Sequence, residues 1–420
     1  MSLVGTSALN SVAVAVKAAS SLLLNKVLAI HVGPSGYAVI GQFQNFLTSI
    51  NSLATAGLGS GVTQLTAKYG HDRARQADVW RTAGSISGLG SALVGLALIV
   101  FRESLAGALL GDAALAGIFL FLGAGFASFT GNAFLVAILN GRKDFRRHFW
   151  LSIASSLLTA SLCGAFAWRW GLYGALVSIP AAQAMAFLAA VVMLRGEPWF
   201  RLRNLVGRVR PEALRSLSGF AAMALTSAVL VPLGQVSIRG HVVRSFGWEA
   251  AGHWEAMMRV SALYLMLVTT PLSVYFLPRV AELKEHDEVR AEVVRVLRFA
   301  VPVAAAAATA VFLTRDLAID LLFTTEFAGM RPLFGWQLLG DVMKVAAWVF
   351  GYTMIGRAMA QTYIVSEVVF VVSGVVFAIL FSASSLGLRG VQVAYFINNL
   401  LYFVVSGVIL FRPKRRAHAV

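Results

Sequence analysis

Apolar residues run through this chain in stretches longer than a soluble helix requires. Residues 362–382 read Thr-Tyr-Ile-Val-Ser-Glu-Val-Val-Phe-Val-Val-Ser-Gly-Val-Val-Phe-Ala-Ile-Leu-Phe-Ser, with Glu367 as the single charge. A soluble helix carries an apolar stripe and a polar face; this stretch is apolar all round. About 20 mostly apolar residues take a helix across a bilayer. Such runs, broken by glycine, proline and charge, occupy 6–31, 37–66, 80–102, 113–140, 148–168, 171–194, 213–240, 250–280, 293–315, 331–356, 362–382 and 387–411. The break at 168–171 rests on Trp168-Arg169-Trp170-Gly171 alone. The pattern predicts an all-α polytopic membrane protein of twelve transmembrane helices. No soluble domain fits, because the longest gap runs only from Arg195 to Glu212.

That gap stands at the chain midpoint. Trp199, Leu202, Leu205, Val206 and Val209 fall near helical spacing among arginines, which predicts a short amphipathic segment on the cytoplasmic leaflet. Residues 195–212 then link an N-terminal six-helix lobe, 1–194, to a C-terminal one, 213–420. A weak internal echo supports two lobes. Lys26 precedes Gly33 and then Gly41-Gln-Phe-Gln44; Arg239 precedes Gly247 and then Gly252-His-Trp-Glu255. Six helices per lobe leave both lobes in the same orientation, a parallel repeat about the membrane normal.

Composition removes the competing classes. The chain is 58% apolar and 13% charged, against about 45–50% and 25% for soluble domains. A cytosolic enzyme, a secreted disulfide scaffold and a disordered chain are all excluded. The net charge of +16 does not indicate nucleic acid, because the basic residues do not gather on one soluble face. They alternate instead. Of the 35 Lys and Arg, 24 fall at the ends of even-numbered spans or the C-terminus, 7 at the odd-numbered ends and 4 within spans. Basic loops stay in the cytoplasm, so both termini are expected there. The one cysteine, Cys163, can form no intrachain disulfide. No basic n-region precedes Ala13-Val14-Ala15, so the start reads as a retained first helix and not a signal peptide.

Charges within the spans carry the chemistry, since each costs at least about 2.5–3.5 kcal/mol at the bilayer centre. Lys17 is central in the first span and Lys344 in the tenth, where Asp341 stands three residues earlier. Arg259 follows Glu255 by four, Arg239 lies near the outer end of the seventh span and Lys26 near the outer end of the first. Asp341–Lys344 and Glu255–Arg259 have the spacing of structural ion pairs, and Lys26 and Arg239 could snorkel to headgroups. Lys17 has no acid on its own helix. Five cations against two acids leave a positive interior that attracts an anion, such as phosphate or pyrophosphate. Gln42, Gln44, Asn45, Ser49 and Asn51 of the second span could bond sugar hydroxyls or one another. Carboxylates that could couple to a cation are Asp341 and Glu367, with Asp320 and Glu326 reading as loop residues. Pro180, Pro232, Pro271 and Pro278 mark kinks, and Gly57-Leu-Gly-Ser-Gly61 and Gly84-xxx-Gly88 mark bends or close packing. No metal-ligand motif, Walker loop or large outer loop is present, so no cofactor is expected and an ATP-driven pump or membrane glycosyltransferase is disfavoured.

The stretch Asn25-Lys-Val-Leu-Ala-Ile-His-Val-Gly-Pro-Ser-Gly-Tyr-Ala-Val-Ile-Gly-Gln-Phe-Gln-Asn45 resembles the first hairpin of bacterial O-antigen flippases. Phe334-Gly-Trp-Gln-Leu-Leu-Gly-Asp341-Val-Met-Lys344 with Phe350-Gly-Tyr352 resembles the same family and the enterobacterial common antigen flippase, as do Tyr275-Phe-Leu-Pro278 and the Glu367 segment. The resemblance implies the fold of the multidrug/oligosaccharidyl-lipid/polysaccharide exporters: two six-helix lobes around a central cavity that opens to one side at a time. It implies a non-enzymatic flippase whose cargo is an undecaprenyl-diphosphate-linked oligosaccharide. Basic cavity residues would bind it, here Lys17, Lys26 and Lys344, with Arg239 and Arg259 added from charge alone. Membrane lipids, and a glycan polymerase and chain-length regulator of the same pathway, are the implied partners. Two rivals stay open: a cation-coupled multidrug antiporter of the same fold, and a polytopic glycan polymerase.

Overall fold

The computed structural model describes the backbone of residues 3–283, 285–357 and 359–411. Within these, the side chains of 3–15, 17, 18, 145, 219, 220, 222–224, 267, 270, 271, 273, 274, 277 and 278 are outside the described set. The described residues form helices and turns, with no strand. In hydrocarbon a backbone must satisfy its own hydrogen bonds, which an α-helix does within one segment. Seven helices among the described residues are long and apolar enough to cross a membrane: Arg73–Val100, Ala113–Gly141, Arg146–Leu194, His286–Leu313, Thr325–Gly356, Ala360–Ser382 and Arg389–Phe411. The protein is a multi-pass membrane protein.

Three helices exceed any single span: α1 (Leu3–Ala54), α6 (Phe145–Leu194) and α8 (Pro211–Pro271). Each contains a backbone break. In α1 it is Gly33 (φ 61°, ψ −176°), in α6 Trp170 and Gly171 (φ 56°, ψ −135°), and in α8 Gly247 (φ 86°, ψ 170°). The Gly33 and Gly247 angles lie in a region essentially closed to residues with a Cβ. They are also the two glycines of the internal echo, so the repeated pattern marks one shared backbone event. Pro34 follows Gly33 directly and starts the next helical stretch, where a missing N–H costs nothing. Pro180 does not interrupt α6, which breaks ten residues earlier. At Pro271, α8 passes into a single π turn, Leu272–Phe276.

The chain packs as two units. The first comprises Met1–Val236 and the short piece Leu321–Thr324. In it α1 packs on α6, and α5 (Ala116–Gly141) packs on α2 (Gly59–Lys68), α3 (Arg73–Val100) and α6. The expected span 37–66 is divided: α1 ends at Ala54, and Ala56 and Gly57 (φ 49° and 64°) turn the chain into α2. A Cβ on Gly57 would stand 3.0 Å from the Ala221 carbonyl and from Leu225, so the glycine serves both a bend and a close approach.

The midpoint connection differs from its expected form. Its helix, α7 (Leu202–Leu205), is a single turn. Trp199 and Leu205 are buried with Val62, Trp80, Ile138 and Leu194 in the core of the first unit, while Leu202, Val206 and Val209 stay exposed. The indole of Trp199 lies 5.5 Å from that of Trp80, with the Arg142 guanidinium 5.1 Å from its ring centre. Arg147 pairs with both Asp144 and Glu197. Main-chain groups complete the strap: Arg81 donates to the Arg203 carbonyl (2.6 Å), Ser85 to that of Gly207 (2.7 Å), and the Arg210 N–H to Thr82 (3.1 Å). A Cβ on Gly84 would fall 1.9 Å from the Leu205 carbonyl oxygen. Gly84 therefore packs against the strap, and Gly88 faces open space.

The second unit comprises Ser237–Asp320 and Thr325–Val420. Here α12 (Phe334–Gly356) packs on α10 (His286–Leu313) and α14 (Arg389–Phe411), and α13 (Ala360–Ser382) packs on α14.

Candidate functional site

The break at Gly247 lets one helix meet itself. Arg239, before it, is 1% exposed and pairs with Glu255, after it. The other Glu255 oxygen accepts from Arg259 Nε at 3.0 Å, completing the i, i+4 pair read from the sequence. Arg239 also lies 5.2 Å from the Trp254 ring centre, a cation–π distance. Its buried guanidinium does not snorkel. Two guanidinium groups thus share one carboxylate.

A second cluster joins three helices around Asp341 on α12, which is fully buried. Tyr264 of α8 donates to Asp341 Oδ2 at 2.8 Å, and Tyr395 of α14 donates to Oδ1 at 2.8 Å. Gln337, one turn earlier, donates to Asp341 Oδ1 and to the Ser261 hydroxyl, both at 3.2 Å. Neutral donors from three helices thus surround this carboxylate. Among the described residues no ion pair joins it to Lys344, despite the i, i+3 spacing. The Lys344 ammonium instead lies 5.0 Å from the Trp348 ring centre and 5.5 Å from that of Tyr395. Aromatic faces hold a cation without cancelling its charge. Tyr395 does two jobs, its hydroxyl on Asp341 and its ring against Lys344.

In the first unit, Lys26 donates to the carbonyl of Phe323, whose ring meets Tyr37 edge-on at 5.7 Å. The Tyr37 hydroxyl donates to Asn25 at 2.7 Å. Gln42 is buried and Asn45 half-buried on α1, where positions 42, 45 and 49 share a face. Both make further interactions, and Ser49 returns its hydroxyl to the Asn45 carbonyl. The Lys17 side chain lies outside the described residues. Glu367 is half-buried on α13 and forms no ion pair among the described residues. No group of three or more potential metal ligands occurs among the described residues.

Residues 4–284 match the model of a family described as polysaccharide biosynthesis protein. The chain belongs to that family. Two relatives are 32% identical over 425 residues, covering 99% of this chain and all of theirs: the Lipid III flippases of Escherichia coli (strain K12) and of Shigella flexneri. The resemblance carried by Asn25–Asn45 and Phe334–Tyr352 therefore extends over the whole length. A solved structure described as the inward-facing conformation of a multidrug resistance MATE family transporter of the MOP superfamily superposes with a TM-score of 0.79. It is 17% identical and covers 93% of each chain, which shows a common fold.

Within this polysaccharide biosynthesis family member, sequence reasoning located the charges and missed their neutral partners. Tyr264, Tyr395, Gln337 and Ser261 around Asp341, and Trp348 beside Lys344, were not singled out. A signal existed: a tyrosine hydroxyl inside an apolar span needs a partner, and Gln337 stands one helical turn before Asp341. Which partner each finds depends on helix pairing, which one sequence does not encode locally.

Proposed function

We propose that the protein flips an undecaprenyl-diphosphate-linked oligosaccharide, an O-antigen or related surface-glycan repeat unit, from the cytoplasmic to the periplasmic leaflet of the bacterial inner membrane by alternating access. The Lys344 site carries this reading. Lys344 is kept inside an apolar span against aromatic faces, one turn from an acid that already accepts from neutral donors, and a cation so placed suits an anionic headgroup. A cation held in this way attracts a diphosphate. Lys17, Lys26, Arg239 and Arg259 are proposed as further contacts to it, with Gln42 and Asn45 toward the sugars. The relatives named as Lipid III flippases and the exporter fold support the same assignment.

In this reading the long broken helices count as two spans each, giving twelve spans in two six-helix lobes about a central cavity. The proposed lobes are 1–194 and 213–420, joined by 195–212, with both termini cytoplasmic. Asp341 and Glu367 are the proposed coupling carboxylates. A glycan polymerase and a chain-length regulator are proposed partners downstream.

The test is a deletion strain in which the accumulating lipid-linked intermediate is identified by mass spectrometry. It is then complemented with wild type, Lys344→Ala and Glu367→Gln. The expected result is an accumulated diphosphate-linked oligosaccharide, cleared by wild type but not by Lys344→Ala protein present at normal membrane level. Full clearance by Lys344→Ala, with loss confined to Glu367→Gln, would instead support a cation-coupled antiporter.

A further inference from the structure

A cavity of about 610 Å³ opens between α13 and α14, from Gln361 and Ile409 at one end to Ser373 and Asn398 at the other. Its rims are branched side chains one turn apart, Val365 and Val369 on one helix and Val405 and Ile409 on the other, all exposed. Of the seven spans, α13 buries the smallest share of its most apolar window. The groove therefore faces the surroundings of the membrane-spanning helices, which are hydrocarbon.

Its depth comes from small polar residues that make no demand on an occupant. Ser366 donates to the Tyr363 carbonyl at 2.9 Å, and Ser373 donates to Asn398 Oδ1 at 2.7 Å. Asn398 in turn donates to the Phe370 carbonyl at 3.0 Å. Two helices facing lipid would pack as well with leucine at these serines. Here room is kept open while the Ser366, Ser373 and Asn398 hydrogen bonds close internally, so the walls offer mainly apolar contact. The groove is also the right length for one leaflet. Gln361 to Ser373 spans twelve residues, about 18 Å of helix, or roughly half of a 30 Å hydrocarbon core.

We propose that this groove binds the isoprenoid tail of the lipid-linked cargo, on the side of the membrane where the cargo is made. The proposal rests on the flippase reading and on α13 starting at the cytoplasmic face. An isoprenoid chain carries methyl branches at regular intervals, which seat in the notches between branched residues one turn apart. A linear acyl chain lacks those branches. The tail is thereby guided along one helix pair and not left free in bulk lipid.

The experiment uses the full-length protein in vesicles of phosphatidylethanolamine and phosphatidylglycerol. One probe is a polyprenyl-diphosphate-linked sugar with a diazirine midway along its tail; the other is phosphatidylglycerol with a diazirine at the same depth. After irradiation, labelled peptides are mapped, and headgroup flipping is measured on the same vesicles. The isoprenoid probe is expected to label 361–409, and Ser366→Leu/Ser373→Leu, which fills the groove, to lower that label about tenfold. Equal labelling by both probes, or undiminished labelling of the filled variant, overturns the proposal. If the variant is not produced, competition on wild type decides. Excess unlabelled polyprenyl diphosphate removes the label if the groove selects isoprenoids, and phospholipid removes it equally if it does not. Wild type that labels but moves no headgroup overturns the transport reading; wild type that moves the headgroup without labelling overturns the groove.

Discussion

Glu255 holds two arginines, one of them fully buried, so the cost of changing it is unequal to the cost of changing its partners. Glu255→Gln leaves Arg239 and Arg259 facing each other across a neutral amide. Removing one member of a buried pair costs about 3–5 kcal/mol, so the melting midpoint in detergent should fall clearly. Arg259→Gln leaves the Arg239–Glu255 pair intact and should melt close to wild type. Asp341→Asn is a different case. The amide offers one acceptor oxygen where two tyrosine hydroxyls and Gln337 now donate, and an unsatisfied buried donor costs about 1–3 kcal/mol. Lys344→Met should keep the melting midpoint within the error of wild type while surface-glycan output is lost. Output unchanged beside a lowered midpoint would make Lys344 a packing residue. The charges themselves were legible in the sequence, because an ionised group in an apolar run is conspicuous. That Asp341 turns to tyrosines and Lys344 to rings was not, since their partners come from other helices, α8 and α14, as well as from α12.

Breaks in the long helices decide how the elements are placed. Gly247 has φ 86° and no atom within 4 Å of an added Cβ, so alanine there strains only the backbone, by about 1–3 kcal/mol. Gly240, helical and equally open, is the matched comparison: Gly240→Ala should stabilise by up to about 1 kcal/mol. Opposite signs in paired thermal unfolding curves are expected, and equal effects would remove the special role of Gly247. The apolar runs 113–140, 362–382 and 387–411 coincide with α5, α13 and α14 within a few residues, and Trp168–Gly171 marked the break in α6. The connection at 195–212 departs from an even amphipathic helix, with Trp199 and Leu205 buried in the first unit, for a physical reason. Apolar residues at helical spacing fit a helix on lipid and a turn docked on protein equally well, and periodicity does not name the surface that receives them. Periodicity did not separate α1 from α2 either, but the glycine run from Gly57 marked the bend between them.

For the molecule as a whole, orientation is the outstanding quantity, and its single cysteine makes it measurable. Cys163 is buried, so a Cys163→Ser background can carry one reporter at a time. Arg201 in the strap and Asp112 between α3 and α5 are both exposed. A membrane-impermeant maleimide should reach Asp112→Cys in spheroplasts, and Arg201→Cys only after the inner membrane is opened; the reverse pattern would invert the proposed topology. The strap itself has a further consequence. Its grip on α3 runs through the carbonyls of Arg203 and Gly207 and the N–H of Arg210, atoms every residue but proline possesses. Position 203 is therefore indifferent to what it carries outward, whereas the Arg210 side chain adds an ion pair of its own with Asp78 on α3. On the proposed topology, the charge at position 203 can then be tuned toward an anionic leaflet without loosening the strap's hold on α3.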